Sequence, residues 1–164
     1  MIRQLLFVVT LSTTSLTASS QVLESLIIKI AREEGIPLKL LKSIAYVESG
    51  FQPWSLNVAG KPYIFKSRVS AETHLEKVLE QGHTSVDIGC AQINWHWHGK
   101  NFKSAKDLLS PSTCLRYAAR LLKSHRGSTG SWMKAALLYH SSNHHHQQIY
   151  RTRLVRYLTR GQAI

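Results

Sequence analysis

The stretch from Pro37 to Pro53, PLKLLKSIAYVESGFQP, constrains the fold of this chain more than any other. Pro37 opens a helix at a position where its missing N–H costs nothing. Leu41, Ile44 and Ala45 then stack on one face, and Glu48, seven, four and three residues later, falls on that same face. Ser49 and Gly50 end the helix, so a carboxylate aimed at the core sits in the last helical turn. An apolar surround and the negative end of the helix dipole both oppose its ionisation, which suits a proton donor near neutral pH. A solvated helix end, or an ion-pair partner for one of the many basic side chains, explains the same spacing.

A chain of 164 residues with 43% hydrophobic content has the size and composition of one folded domain. Residues 1–20 read differently. Arg3 is followed by an apolar run diluted with Thr and Ser, from Leu5 to Leu16, and by small residues suited to a signal peptidase. Cleavage after Ser20 leaves a mature chain of residues 21–164. Neither this run nor any later one is long enough to span a bilayer, so an exported, soluble protein is expected.

Export permits a disulfide, and the two cysteines, Cys90 and Cys114, are either bridged or buried as small hydrophobes. The formal charge of +12 asks for an anionic partner or a solvated basic face. For an exported chain, a cell-wall polymer with peptide carboxylates is a more natural partner than nucleic acid. No cofactor and no metal are expected. His140 and His144 to His146 lack an acidic or Cys partner at ligand spacing, and no G-x-S-x-G is present.

Helical spacing recurs over Val22 to Glu34, Ser70 to Gln81, Pro111 to about His125, Trp132 to Tyr139 and Ile149 to Leu158. In these, Leu138 is assigned to packing, and Arg151, Arg153, Arg156 and Arg160 to the outside. Residues 54–62 read as an irregular or hairpin loop. From Ser85 to Phe102 no period lasts, but Trp95, Trp97, His96 and His98 gather beside Gln92 and Asn94. Rings that cover C–H faces and amides that bind hydroxyl and acetamido groups make up a sugar site, as they also make up a well-satisfied core loop. The class is mainly α, in a single domain with minor strands.

Four ordered segments resemble a family: E-S-G-F at Glu48 to Phe51, V-D-I-G-C-A-Q-I-N at Val86 to Asn94, the helix from Leu108 to Leu122, and A-A-L-L-Y-H-S at Ala135 to Ser141. In order and spacing they resemble the motifs of soluble-type (SLT) lytic transglycosylases, and are most similar to the small members that accompany secretion, conjugation and pilus machines. The resemblance implies a lysozyme-like fold of the goose-type lysozyme and SLT kind. It also implies a periplasmic monomer that cleaves the bond between N-acetylmuramic acid and N-acetylglucosamine in peptidoglycan. Glu48 is then the sole catalytic carboxyl, with Ser49, Asn57, Gln92, Asn94 and Tyr139 as substrate contacts. Cys90-Ala91 stands where the family carries Leu-Met, and His140 where it carries Asn.

The chemistry the resemblance implies needs one carboxyl. Glu48 protonates the leaving oxygen, the substrate's acetamido group stabilises the cationic carbon, and Glu48 then takes the proton of the C6 hydroxyl as that oxygen closes a 1,6-anhydro ring. Two alternatives remain at this point: a hydrolytic muramidase with Asp87 as second carboxylate, and a wall-binding assembly protein without turnover.

Overall fold

The computed structural model describes residues 18–159. The expected signal segment, apart from Ala18 to Ser20, lies outside the described residues. Among the described residues, seven α-helices surround one apolar core, and a small antiparallel sheet forms one wall.

α1 (Ala18–Glu34) buries Leu23, Ile27, Ile30 and Ala31, whereas Val22, assigned by spacing to the same stripe, is 61% exposed. α2 (Leu38–Ser49) starts behind Pro37 and stops at Gly50, whose left-handed φ of 63° lets the next amides bond back to Tyr46 and Ala45. Leu41, Ile44 and Ala45 are fully buried, as the spacing requires.

Residues 54–62 enter the hairpin form of the expected loop: β1 (Ser55–Val58) pairs antiparallel with β2 (Lys61–Ile64). α3 (Arg68–Glu80) begins two residues before the expected Ser70, because the Ser67 hydroxyl accepts from the Ser70 amide and caps the helix there. β3 (Val86–Ile88) and the two-residue β4 (Ile93–Asn94) complete a sheet of order β2-β1-β3-β4. In register, Asn57 faces Asp87 and Asp87 faces Asn94. α4 (Trp95–His98) follows directly.

α5 (Pro111–Thr129) runs four residues past the expected end at His125, and Gly130 stops it. It packs on both α1 and α6 (Trp132–His140). α7 (His144–Thr159) starts earlier than Ile149, since the Asn143 side chain accepts from the amides of His145 and His146. It lies against α2 and α6. Two expected placements on α6 and α7 change. Leu138 of α6 is not packed inside but 36% exposed, and Leu137 takes its place against the core. Arg153 is not simply solvated: its guanidinium donates to the Val47 carbonyl at 2.8 Å, an otherwise open acceptor in the last turns of α2.

The α1–α5 contact is tied by charge. Arg116 and Arg120 donate to the Glu34 carboxylate at 3.0 and 3.3 Å, and Lys123 approaches it at 3.9 Å. Burial pushes this carboxyl up, but the three cations outweigh it and hold the group below the usual carboxylate range. Cys90 and Cys114 are buried free thiols, and the Cys114 thiol beside it, then burial, raise the Cys90 thiol well above its ordinary range.

Candidate active site

A cleft of about 800 Å³ runs between the sheet on one side and α6 and α7 on the other. Glu48 reaches it from the end of α2. Its side chain is 13% exposed, and Oε1 is fully buried with no hydrogen-bond partner. Nδ1 of His140, from the end of α6, lies 3.7 Å from that oxygen. Under both lies Tyr150 of α7, whose ring stacks on His140 at 4.1 Å and 7°. The Tyr150 hydroxyl is also buried without a partner, and its approach to Glu48 falls short of hydrogen-bond geometry. Burial, then the Glu48 charge, push this phenol well above its ordinary range.

The opposite wall is the row that strand pairing puts together. Asn57 on β1 donates to Asp87 Oδ2 at 3.2 Å, and Asn94 on β4 donates to Oδ1 at 2.8 Å. Both carboxylate oxygens of Asp87 are therefore engaged. Desolvation first, with the Glu48 charge adding to it, raises the Asp87 carboxyl despite the two amides. Asn94 Oδ1 accepts from the Trp97 backbone amide at 3.3 Å, which caps α4 and sets the Trp97 ring, 70% exposed, at the mouth of the cleft.

The floor is the loop from Gly89 to Gln92, and each of its first three carbonyls is taken by a side chain. Gln92 Nε2 donates to the Gly89 oxygen at 2.9 Å and to Ser55 Oγ at 3.1 Å. Ser49 Oγ donates to the Cys90 oxygen at 2.9 Å, and Tyr139 Oη to the Ala91 oxygen at 2.6 Å. Because carbonyl acceptors surround the Gln92 nitrogen, its own amide oxygen is the atom left for the cleft, which Gln92 lines. Gly89 is required here: at φ 81° it passes so close to α5 and the segment before it that a Cβ would lie 2.3 Å from the Leu108 oxygen.

The structure thus places Glu48, Asn57, Gln92, Asn94 and Tyr139 on one cleft. Ser49 and Tyr139 present hydroxyls to the loop backbone, where they act on its shape. Burial of the Tyr139 phenol, together with the Glu48 charge, puts it well above the ordinary tyrosine range, so it stays a donor. Sequence spacing did not find Tyr150, Arg153 or Leu138 as parts of the site. The only sign of Tyr150 was its place one turn before Leu154. Of the four buried side-chain polar atoms without a partner among the described residues, Glu48 Oε1 and Asn57 Oδ1 line this cleft and Tyr150 Oη lies beneath it. Such atoms cost about 1–3 kcal/mol each when nothing meets them. Their gathering here makes this cleft the candidate place for a ligand's polar groups.

The family described as transglycosylase SLT domain matches residues 25–153, from α1 to well into α7. The chain belongs to that family. Its lysozyme-like fold accounts for the helical body with a small sheet as one wall, and its members act on peptidoglycan, which lies outside the cytoplasm. No curated protein and no solved structure matched the chain. Among the described residues no helix is long and apolar enough to cross a membrane, and no group of three or more His, Cys, Asp or Glu is arranged to hold a metal ion.

Proposed function

We propose that this protein is a lytic transglycosylase that cuts the β-1,4 bond between N-acetylmuramic acid and N-acetylglucosamine and leaves 1,6-anhydro ends. The observation that carries the reading is the inequality of the two carboxyls in the cleft. Glu48 offers a buried oxygen with no partner, whereas both oxygens of Asp87 are held by Asn57 and Asn94. Hydrolysis by two carboxyls needs the second free to attack or to activate water. A substrate whose own C6 hydroxyl attacks needs only the first.

Glu48 gives its proton to the glycosidic oxygen as the C1–O bond breaks, and the substrate's acetamido oxygen shields C1. The Glu48 carboxylate then removes the C6 hydroxyl proton, O6 bonds to C1, and the acid is restored. Holding attacker and electrophile in one ring system supplies several kcal/mol of the barrier, of the order measured for intramolecular reactions, at most about 7–11 kcal/mol. The Gln92 amide oxygen and the open Asn57 carbonyl accept from sugar hydroxyl or acetamido N–H groups, and Trp97 covers a sugar face. Export by the N-terminal segment, action in the periplasm as a monomer and service to a secretion, conjugation or pilus apparatus are parts of the same proposal.

The test is mass spectrometry of muropeptides released by the wild type and by Glu48→Gln. Borohydride-resistant 1,6-anhydro products from the wild type and none from the variant support the reading. Reducing ends, with Asp87→Asn as damaging as Glu48→Gln, select the hydrolytic muramidase. Binding without release at any pH from about 4 to 8, a range that spans carboxyl and imidazole titration, selects a wall-binding assembly protein.

A further inference from the structure

A carboxyl that works twice poses a problem the cleft must solve: after it gives up its proton, a buried anion has to be met by something. Oε1 of Glu48 has no hydrogen-bond partner. Tyr139 spends its hydroxyl on the Ala91 carbonyl, Arg153 gives its guanidinium to Val47, and Asp87 carries the wrong sign. Two donors remain: the Tyr150 hydroxyl, fixed in the core beneath the carboxyl, and, at the open end of α6, His140. Its Nδ1 stands 3.7 Å from Oε1, about half an ångström beyond an ordinary N–H···O bond. Its ring lies flat on Tyr150, which is 1% exposed and so a fixed surface. A face-to-face stack tolerates sliding in the ring plane, so the imidazole can close that gap without losing its support.

We infer that His140 is a positioning residue for Glu48: held flat on Tyr150, it donates from Nδ1 to the carboxylate formed when the proton leaves, and fixes that oxygen for its second step. The inference rests on the transglycosylase reading. Nδ1 must carry the proton, and the charged or titratable groups facing the imidazole are Glu48 on α2, Asp87 on β3, and Tyr150 and Arg153 on α7.

Three variants and one spectroscopic measurement test it. His140→Phe keeps the stack and removes the nitrogen; it is expected to keep the melting temperature and KM within about twofold of wild type and to lose at least about tenfold in kcat, the low end of what a misplaced acid-base group costs. His140→Asn restores an amide donor and is expected to recover most of kcat. His140→Ala, with neither ring nor donor, is expected to lose melting temperature as well. Wild-type turnover in His140→Phe, a change in KM alone, or equal kcat losses in the Phe and Asn variants would overturn the inference. NMR of the His140 ring in the full chain is independent of turnover. Its Nδ1 resonance is expected to shift in Glu48→Gln, where an amide replaces the carboxyl that Nδ1 faces, and to stay in place in Trp97→Ala. An unmoved resonance in Glu48→Gln overturns the inference even if the enzyme is active, whereas a moved resonance in a protein that releases no anhydro product retires the transglycosylase reading and leaves the contact standing.

Discussion

The Glu34 cluster and the Glu48 cleft each place a carboxyl against α-helices, and they treat it in opposite ways. At the α1–α5 contact, Glu34 is buried but bonded to Arg116 and Arg120, with Lys123 near. In the cleft, Glu48 has a buried oxygen with no bond, and Asp87 is kept from ionising easily by desolvation. One site satisfies its charge and ties two helices together. The other leaves polar atoms open, as the proposed substrate contacts require. Where a fold withholds partners from its own buried acid is therefore better evidence of chemistry than the presence of the acid.

The largest expected effect breaks the cleft side of this contrast. Glu48→Gln is expected to lower kcat by about 10²–10⁴-fold, the usual worth of a general acid-base group, while the melting temperature stays level or rises, because an unmatched carboxyl is lost. A large fall in melting temperature would mean that Glu48 is structural. Glu34→Ala reverses the pattern. It is expected to cost about 1.5–3 kcal/mol in urea unfolding, the range for hydrogen bonds to a charged group, and to leave turnover per folded molecule unchanged.

The pH dependence of stability sharpens the same contrast by sign. Glu34, with its folded value depressed, stabilises the protein above the unfolded value, and that stability drains away as pH falls through the folded value. Asp87, with its folded value raised, has the opposite effect: its cost is complete above the folded value and absent below the unfolded one. Urea midpoints measured against pH are expected to lose part of their acid decline in Glu34→Gln and to decline more steeply in Asp87→Asn. The smallest effect belongs to the rim. Trp97→Ala is expected to raise KM by no more than about tenfold, matching roughly 0.5–1.5 kcal/mol for an aromatic contact, and to leave the melting temperature unchanged because the ring is mostly exposed. An unchanged KM would take Trp97 out of the binding surface.

Much of this was legible in the chain. The Pro37 start, the buried Leu41, Ile44 and Ala45, and the placing of Glu48 at a glycine stop are local properties of one helix, and they hold. The Asn57–Asp87–Asn94 row was not legible as a row. It depends on pairing strands of four, three and two residues across a gap of 30 positions, and pieces so short show no alternation. Leu138 was misplaced because Leu137 and Leu138 are both apolar, and periodicity cannot say which of two neighbours faces a cleft. Arg153 looked like one more cation on an Arg-rich helix until α7 was seen to cross the end of α2. In the sequence His140 stood out as part of a His-rich stretch without metal-ligand spacing and as a departure from the family pattern; its stacking partner comes from another helix.

The loop from Gly89 to Gln92 has three successive carbonyls fastened from different elements, and Gln92 holds a left-handed φ of 50° that a non-glycine residue adopts only when its surroundings enforce it. A bed pinned at that many points keeps one shape whether or not anything lies on it, so the floor of the cleft is set before a ligand arrives and is not moulded by it.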